Sequence, residues 1–207
     1  MTLRKKLIAA GAAVVAAAAL AGIVYGYFAA HKDKPNLVGV GEDDISITES
    51  FTPPEQSKQF TYRKLVKITN TGSVPCYIRV RLEFSSSEIQ RHASFSCDTS
   101  DPPDENSFRP ASPASTGCYA ANPPDGWVYV WNQDEGEPTP GFYYYKDAVN
   151  PGEATEALLS WVKMNYGESE IQAHDIYVYS ESVQTVNPNS GAEYTDWKDA
   201  WLTFEGN

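Results

Sequence analysis

The 207-residue chain predicts an all-β protein built as an antiparallel β-sandwich. Three observations carry that expectation. Short apolar runs alternate with a period of two, clusters of Gly, Pro, Asn and Ser punctuate them, and no strand leads into the long amphipathic helix that a parallel βαβ unit requires. No internal repeat of 20–50 residues is present.

The first element is not a strand. Arg4, Lys5 and Lys6 precede an uncharged run over residues 7–30, the pattern of an export signal. A soluble core helix would not be apolar on every face. The run also suffices to cross a bilayer, for which about 20 apolar residues are enough. Val24-Tyr25-Gly26 offers small residues for cleavage before Tyr27, and Phe28-Ala29-Ala30 is a poorer site. Residues 1–26 are therefore either a removed signal peptide or a retained N-terminal anchor. Residues 27–43 follow as a flexible segment, polar except at Leu37, Val38 and Val40, and residues 44–207 form the sandwich domain.

Within that domain, strands are expected over 44–50, 60–70 and 76–84. Asn70-Thr71-Gly72-Ser73 has turn chemistry and predicts a hairpin joining the second and third. Cys76, Ile78, Val80, Leu82 and Phe84 share one face of the third strand, which makes Cys76 a buried free thiol. Residues 85–126, rich in Pro and Ser, carry no sustained apolar period and read as a loop insertion, with one helical turn over 87–92. Cys97 and Cys118 both lie in this insertion and form the expected disulfide.

Strands resume over 127–131, 142–146 and 155–163. Leu159 and Trp161 share the inward parity of the last of these. Asn150-Pro151-Gly152-Glu153 makes a turn. A long strand over 173–186 puts Ile176 and Val178 on one side, with Tyr177, Tyr179 and Val183 on the other. Trp197, Trp201 and Phe204 recur at helical spacing and predict a short C-terminal amphipathic helix.

Composition bounds the function. The chain carries 16 basic and 27 acidic residues, a net charge of −11. Loss of residues 1–26 leaves 13 basic against 27 acidic residues, or −14. Such a surface repels nucleic acid and anionic head groups, so membrane contact is expected only through the N-terminal segment.

Catalytic patterns are missing from the sequence. His31, His92 and His174 include no pair four apart, and there is no H-E-x-x-H, G-x-S-x-G, phosphate-binding glycine loop or C-x-x-C. His174, at the start of a strand, reads as structural, and no catalytic residue or cofactor is expected. Asp98, Asp101 and Asp104 are weak candidates for Ca²⁺, because clustered carboxylates are necessary for such a site but not sufficient. Trp127, Tyr143 and Tyr145 are candidates for a ligand-binding aromatic surface, although alternating aromatics on strands more often pack as core.

Three phrases also carry a family resemblance. They are Lys67-Ile68-Thr69-Asn70-Thr71-Gly72-Ser73-Val74-Pro75-Cys76-Tyr77-Ile78-Arg79-Val80-Arg81, Tyr143-Tyr144-Tyr145-Lys146 with Asn150-Pro151-Gly152-Glu153, and Tyr177-Val178-Tyr179-Ser180-Glu181-Ser182-Val183-Gln184. With the signal ending Val24-Tyr25-Gly26-Tyr27-Phe28, the chain resembles the alternate-signal exported proteins of Firmicutes that depend on the signal peptidase SipW. These are related distantly to the biofilm matrix protein TasA and to camelysin. The resemblance spans nearly the whole chain except residues 85–126, and Tyr27 replaces the usual small residue at the cut site.

The resemblance implies a jelly-roll or Ig-like β-sandwich, secreted or held at the cell surface, acting as a biofilm-matrix or fibre subunit. Its partners would be itself or related surface proteins, and the signal peptidase during export. The N-terminal segment at Leu37, Val38 and Val40 would serve as a strand passed to a neighbouring subunit. Two alternatives stand beside this: a monomeric module binding a glycan or host protein, and a surface protease like camelysin, for which the sequence supplies no carrying residues.

Overall fold

The computed structural model describes residues 43–51, 59–167 and 175–206. The expected signal segment, Leu37, Val38 and Val40 lie outside the described residues, as do His31 and His174. Among the described residues nine strands form two antiparallel sheets. The first sheet contains β1 (Ile45–Phe51), β2 (Gln59–Asn70), β8 (Leu159–Asn165), β4 (Ala93–Ser96) and β5 (Arg109–Pro110), in that spatial order. The second contains β6 (Trp127–Tyr129), β7 (Tyr143–Tyr145), β3 (Cys76–Phe84) and β9 (Ile176–Gln184).

The sheets bury their facing sides against each other in a β-sandwich-like arrangement. Val66 and Ile68 of β2, Phe95 of β4 and Val162 of β8 share one core with Ile78 and Val80 of β3 and Tyr143 of β7. Alternation dictates these choices. Tyr62, Lys64, Val66 and Ile68 are buried at every second position of β2, because successive side chains of a strand point to opposite faces.

The expected β2–β3 hairpin does not form. β2 belongs to the first sheet and β3 to the second, and residues 70–75 carry the chain across the sandwich. Asn70 organises the crossing. Its side-chain amide donates to the carbonyls of Val74 and Val149, both at 2.8 Å, and its Oδ1 accepts from the Gly72 N–H at 2.9 Å. β3 instead pairs along its whole length with β9, Cys76 opposite Gln184 and Phe84 opposite Ile176.

Residues 85–126 are part of the sandwich rather than an insertion beside it. Ser86 caps the short helix α1 (Ser87–His92) by accepting the Ile89 N–H at 3.2 Å. The chain then enters β4, which pairs with β8, and returns as β5. Phe95, Tyr119 and Ala120 from this stretch are buried in the common core. Beyond it, Gly126 turns the chain into β6 at φ 82°, where a Cβ would lie 2.6 Å from the Tyr145 ring.

Trp161 is buried, as expected, at 8% exposure, but it does not join Leu159 in the cluster between the sheets. Arg63 pairs with Trp161 and Val66 with Leu159, so Lys64 and Leu65 together oppose Ser160. This bulge reverses the parity of β8. Leu159, Val162 and Met164 point into the sandwich, whereas Trp161 lies on the other side beneath the Arg63 guanidinium, 5.7 Å from its ring centre. The Leu159→Ala variant should lose about 2–5 kcal/mol of stability. Trp161→Ala empties a second buried site and should destabilise as well, as read from urea denaturation midpoints at an unchanged slope.

Candidate functional site

The outer face of the second sheet carries alternating charged and aromatic side chains. Outward positions of β3 present Tyr77, Arg79, Arg81 and Glu83, and β9 sets Val183, Glu181, Tyr179 and Tyr177 directly opposite them. Tyr144 of β7 stands on the other side of Arg79.

Helix α2 (Trp197–Glu205) covers half of this face. Asp196 caps its start by accepting the Asp199 N–H, and Gly206 closes its end in the left-handed conformation, φ 84°. Trp197, Ala200 and Trp201 recur at i, i+3 and i+4 and pack with Tyr77, Phe142, Tyr144 and Val183 into a second apolar cluster. Phe204, expected on the same buried stripe, is exposed.

At the centre of the covered half sits Arg79, only 6% exposed. Its Nε donates to Glu181 at 2.6 Å, and its Nη1 donates to Glu205 of α2 and, at 3.1 Å, to the Tyr144 hydroxyl. Tyr144 in turn donates to the Thr139 carbonyl at 2.8 Å, and the Thr139 N–H donates to Glu205 at 3.1 Å. The guanidinium also lies 4.2 Å from the Trp201 ring centre and 4.3 Å from that of Phe142. Burial works against the charge, yet the bonds to Tyr144, Glu181 and Glu205 hold the Arg79 pKa above its ordinary value. For Tyr144, burial outweighs the nearby guanidinium and pushes the hydroxyl up to about 12.

The other half is open. Arg81, Glu83, Phe142, Tyr179 and Glu181 line a shallow groove of about 270 Å³. Arg81 lies 4.1 Å from the Phe142 ring centre and pairs with Glu83 at 3.5 Å. Tyr177 and Tyr179 are 46% and 51% exposed, their ring centres 6.5 Å apart. The period-two pattern of β9 already put both tyrosines on one side. What it lacked was the length of α2, which stops short of them.

The aromatic residues expected at a ligand surface are placed elsewhere. Trp127 and Tyr143 are 3% and 4% exposed and belong to the core between the sheets. Tyr145 is half-buried against Trp127, with ring centres 5.1 Å apart. The opposite parity of β7, represented by Tyr144, is the one that faces out, and α2 covers it.

The candidate calcium ligands serve their own loop. Asp98 accepts the backbone N–H groups of Asp104 and Ser100, at 2.7 and 3.0 Å, and the Ser100 hydroxyl at 2.8 Å. These bonds hold its carboxyl below the usual range. Asp104 accepts from the Asn106 N–H. Asp98, Asp101 and Asp104 do not converge: among the described residues no group of three or more His, Cys, Asp or Glu could hold a metal ion.

The expected Cys97–Cys118 disulfide is not formed, and all three cysteines are free. Cys118 turns inward at the start of a 3-10 turn (Tyr119–Ala121), its thiol reaching the Pro113 carbonyl at 3.6 Å. Cys97 is exposed just after β4, its carbonyl accepting from the Ser160 hydroxyl at 3.2 Å. Cys76 is fully buried on β3, and burial, helped by Asp43, pushes its thiol up to about 12.

No family model, curated protein or solved structure matches the chain. Among the described residues no helix is long and apolar enough to cross a membrane.

Two measurements test this geometry. In native protein an alkylating reagent should modify Cys97 alone, and raising the pH to about 9 should not expose Cys76, which stays protonated far below its pKa. Peptide mapping that recovers a Cys97–Cys118 bridge would contradict the structure. The Glu205→Ala variant should cost about 3 kcal/mol, because it leaves the Arg79 charge short of a partner. Near-ultraviolet circular dichroism should report loosened packing of Trp197 and Trp201.

Proposed function

We propose that the chain is an exported, cell-surface structural protein, a matrix or fibre subunit without a catalytic role. In this proposal the sandwich is of the jelly-roll or Ig-like kind, and subunits join by pairing a strand from one copy with an open sheet edge of another. The observation that supports it most is the flank where β1 and β9 lie together. Both are edge strands, and among the described residues nothing pairs with their outer sides. β9 alone offers nine residues of edge. Unpaired N–H and C=O groups along such an edge template another strand.

The donor in this proposal is the segment holding Leu37, Val38 and Val40. Pro35 disfavours a helix at its start, and the segment ends in the sequence shortly before Asp43. Just after it, Asp43 accepts hydrogen bonds from Ser182 and Gln184 of β9, at 3.3 and 3.2 Å. Asp43, at the head of β1, therefore touches the C-terminal end of the proposed acceptor strand.

The test is a chain beginning at Asp43. It should melt within a few degrees of the longer protein, remain monomeric in ultracentrifugation and form no fibres under the electron microscope. A peptide spanning residues 36–41 should shorten fibres of the protein that retains the segment. Unfolding of the shortened chain would place the segment in its own sandwich and remove the donor role.

A further inference from the structure

We infer that the open half of the outer face of the second sheet binds a neutral, extended saccharide chain, with Tyr177 and Tyr179 as stacking platforms. The inference is independent of assembly through strand edges, since it concerns a face and not an edge.

The first support is exposure without cover. A long tyrosine ring on a sheet face normally packs against a neighbouring layer, as Tyr77 and Tyr144 do beneath α2. Tyr177 and Tyr179 have no such cover among the described residues and stand about half exposed. They occupy successive outward positions of one strand, so their faces are offered in a row. Aromatic rings with an apolar face and a polar tip suit ligands that are both C–H-rich and hydroxylated.

The second support is charge. The chain as a whole is acidic, which disfavours a polyanion. The groove itself is close to balanced: Glu83 pairs with Arg81, and Glu181 with Arg79. A cationic ligand would have to displace a guanidinium from each carboxylate. A neutral ligand need only accept and donate hydrogen bonds, and the groups for that are present. Glu83 and Glu181 keep about half of their side-chain surface exposed. The Arg81 Nε–H is buried without an acceptor among the described residues.

The third support is shape. A groove of about 270 Å³ falls at or below the small end of enclosed ligand pockets, roughly 300–1,000 Å³. It is too shallow to engulf a compact metabolite. It can seat one unit of a chain whose neighbours continue along β9 over Tyr179 and Tyr177.

Isothermal titration of the purified protein with cellohexaose and chitohexaose tests the inference, with pentalysine and polyglutamate as charged comparators. At least one hexaose should saturate the protein in the millimolar range or below. Tyr179→Ala should weaken that binding about tenfold, and Tyr177→Ala should weaken it as well. Tyr179→Phe should retain it, because the stacking face is kept. Trp131→Ala removes another exposed ring outside the groove and should change nothing. Equal melting temperatures across the variants would show that the fold is intact. The inference is overturned if neither hexaose saturates, if a charged comparator binds in their place, or if saccharide binding survives both tyrosine-to-alanine substitutions.

Discussion

A guanidinium taken out of water needs hydrogen-bond partners, and Arg79 finds three, each on a separate element. Glu181 comes from β9, Tyr144 from β7 and Glu205 from the last turn of α2. The bonds fix how far along the sheet the helix lies, because Glu205 can reach Arg79 and the Thr139 N–H only in one position. The apolar contacts of Trp197 and Trp201 supply burial but could slide, since packing of rings on a sheet is not strongly directional. The ion pair supplies the register. It also determines where cover stops, leaving Arg81, Tyr179 and Tyr177 beyond the end of the helix.

Much of the secondary structure was legible because local alternation and local burial agree. β2, β3 and β9 each show period two over seven residues or more, and the Trp197–Trp201 spacing announces α2. The short helix at Ser87–His92 was legible as well, through the serine-rich lead and the single buried Ile89. Partnership between strands was not legible. Asn70-Thr71-Gly72-Ser73 has hairpin chemistry, yet its effect depends on what Asn70 bonds to, and Val149 lies 79 residues away.

Elsewhere parity and burial are decided by neighbours distant in sequence. β4 is only four residues long, with three of them buried, so no alternation marks it. Trp161 has the inward parity of Leu159 only if β8 is regular, and the extra residue that reverses it sits on β2. Trp127 and Tyr143 resemble a surface stripe until a second sheet is set against them. Cys97 and Cys118 share a loop in sequence, but the core claims one and the surface keeps the other.

The pairing of β2 with β8 and of β3 with β9 joins stretches on opposite sides of the whole domain, Gln59 with Asn165 and Cys76 with Gln184. Neither central strand can find its long-range partner until almost all of the chain is present, and the loops that must close carry their entropy before any contact repays it. Sandwiches wired this way fold in milliseconds to seconds rather than microseconds. Until then the pairings open to the chain are the short-range ones, β1 with β2, β4 with β5 and β6 with β7.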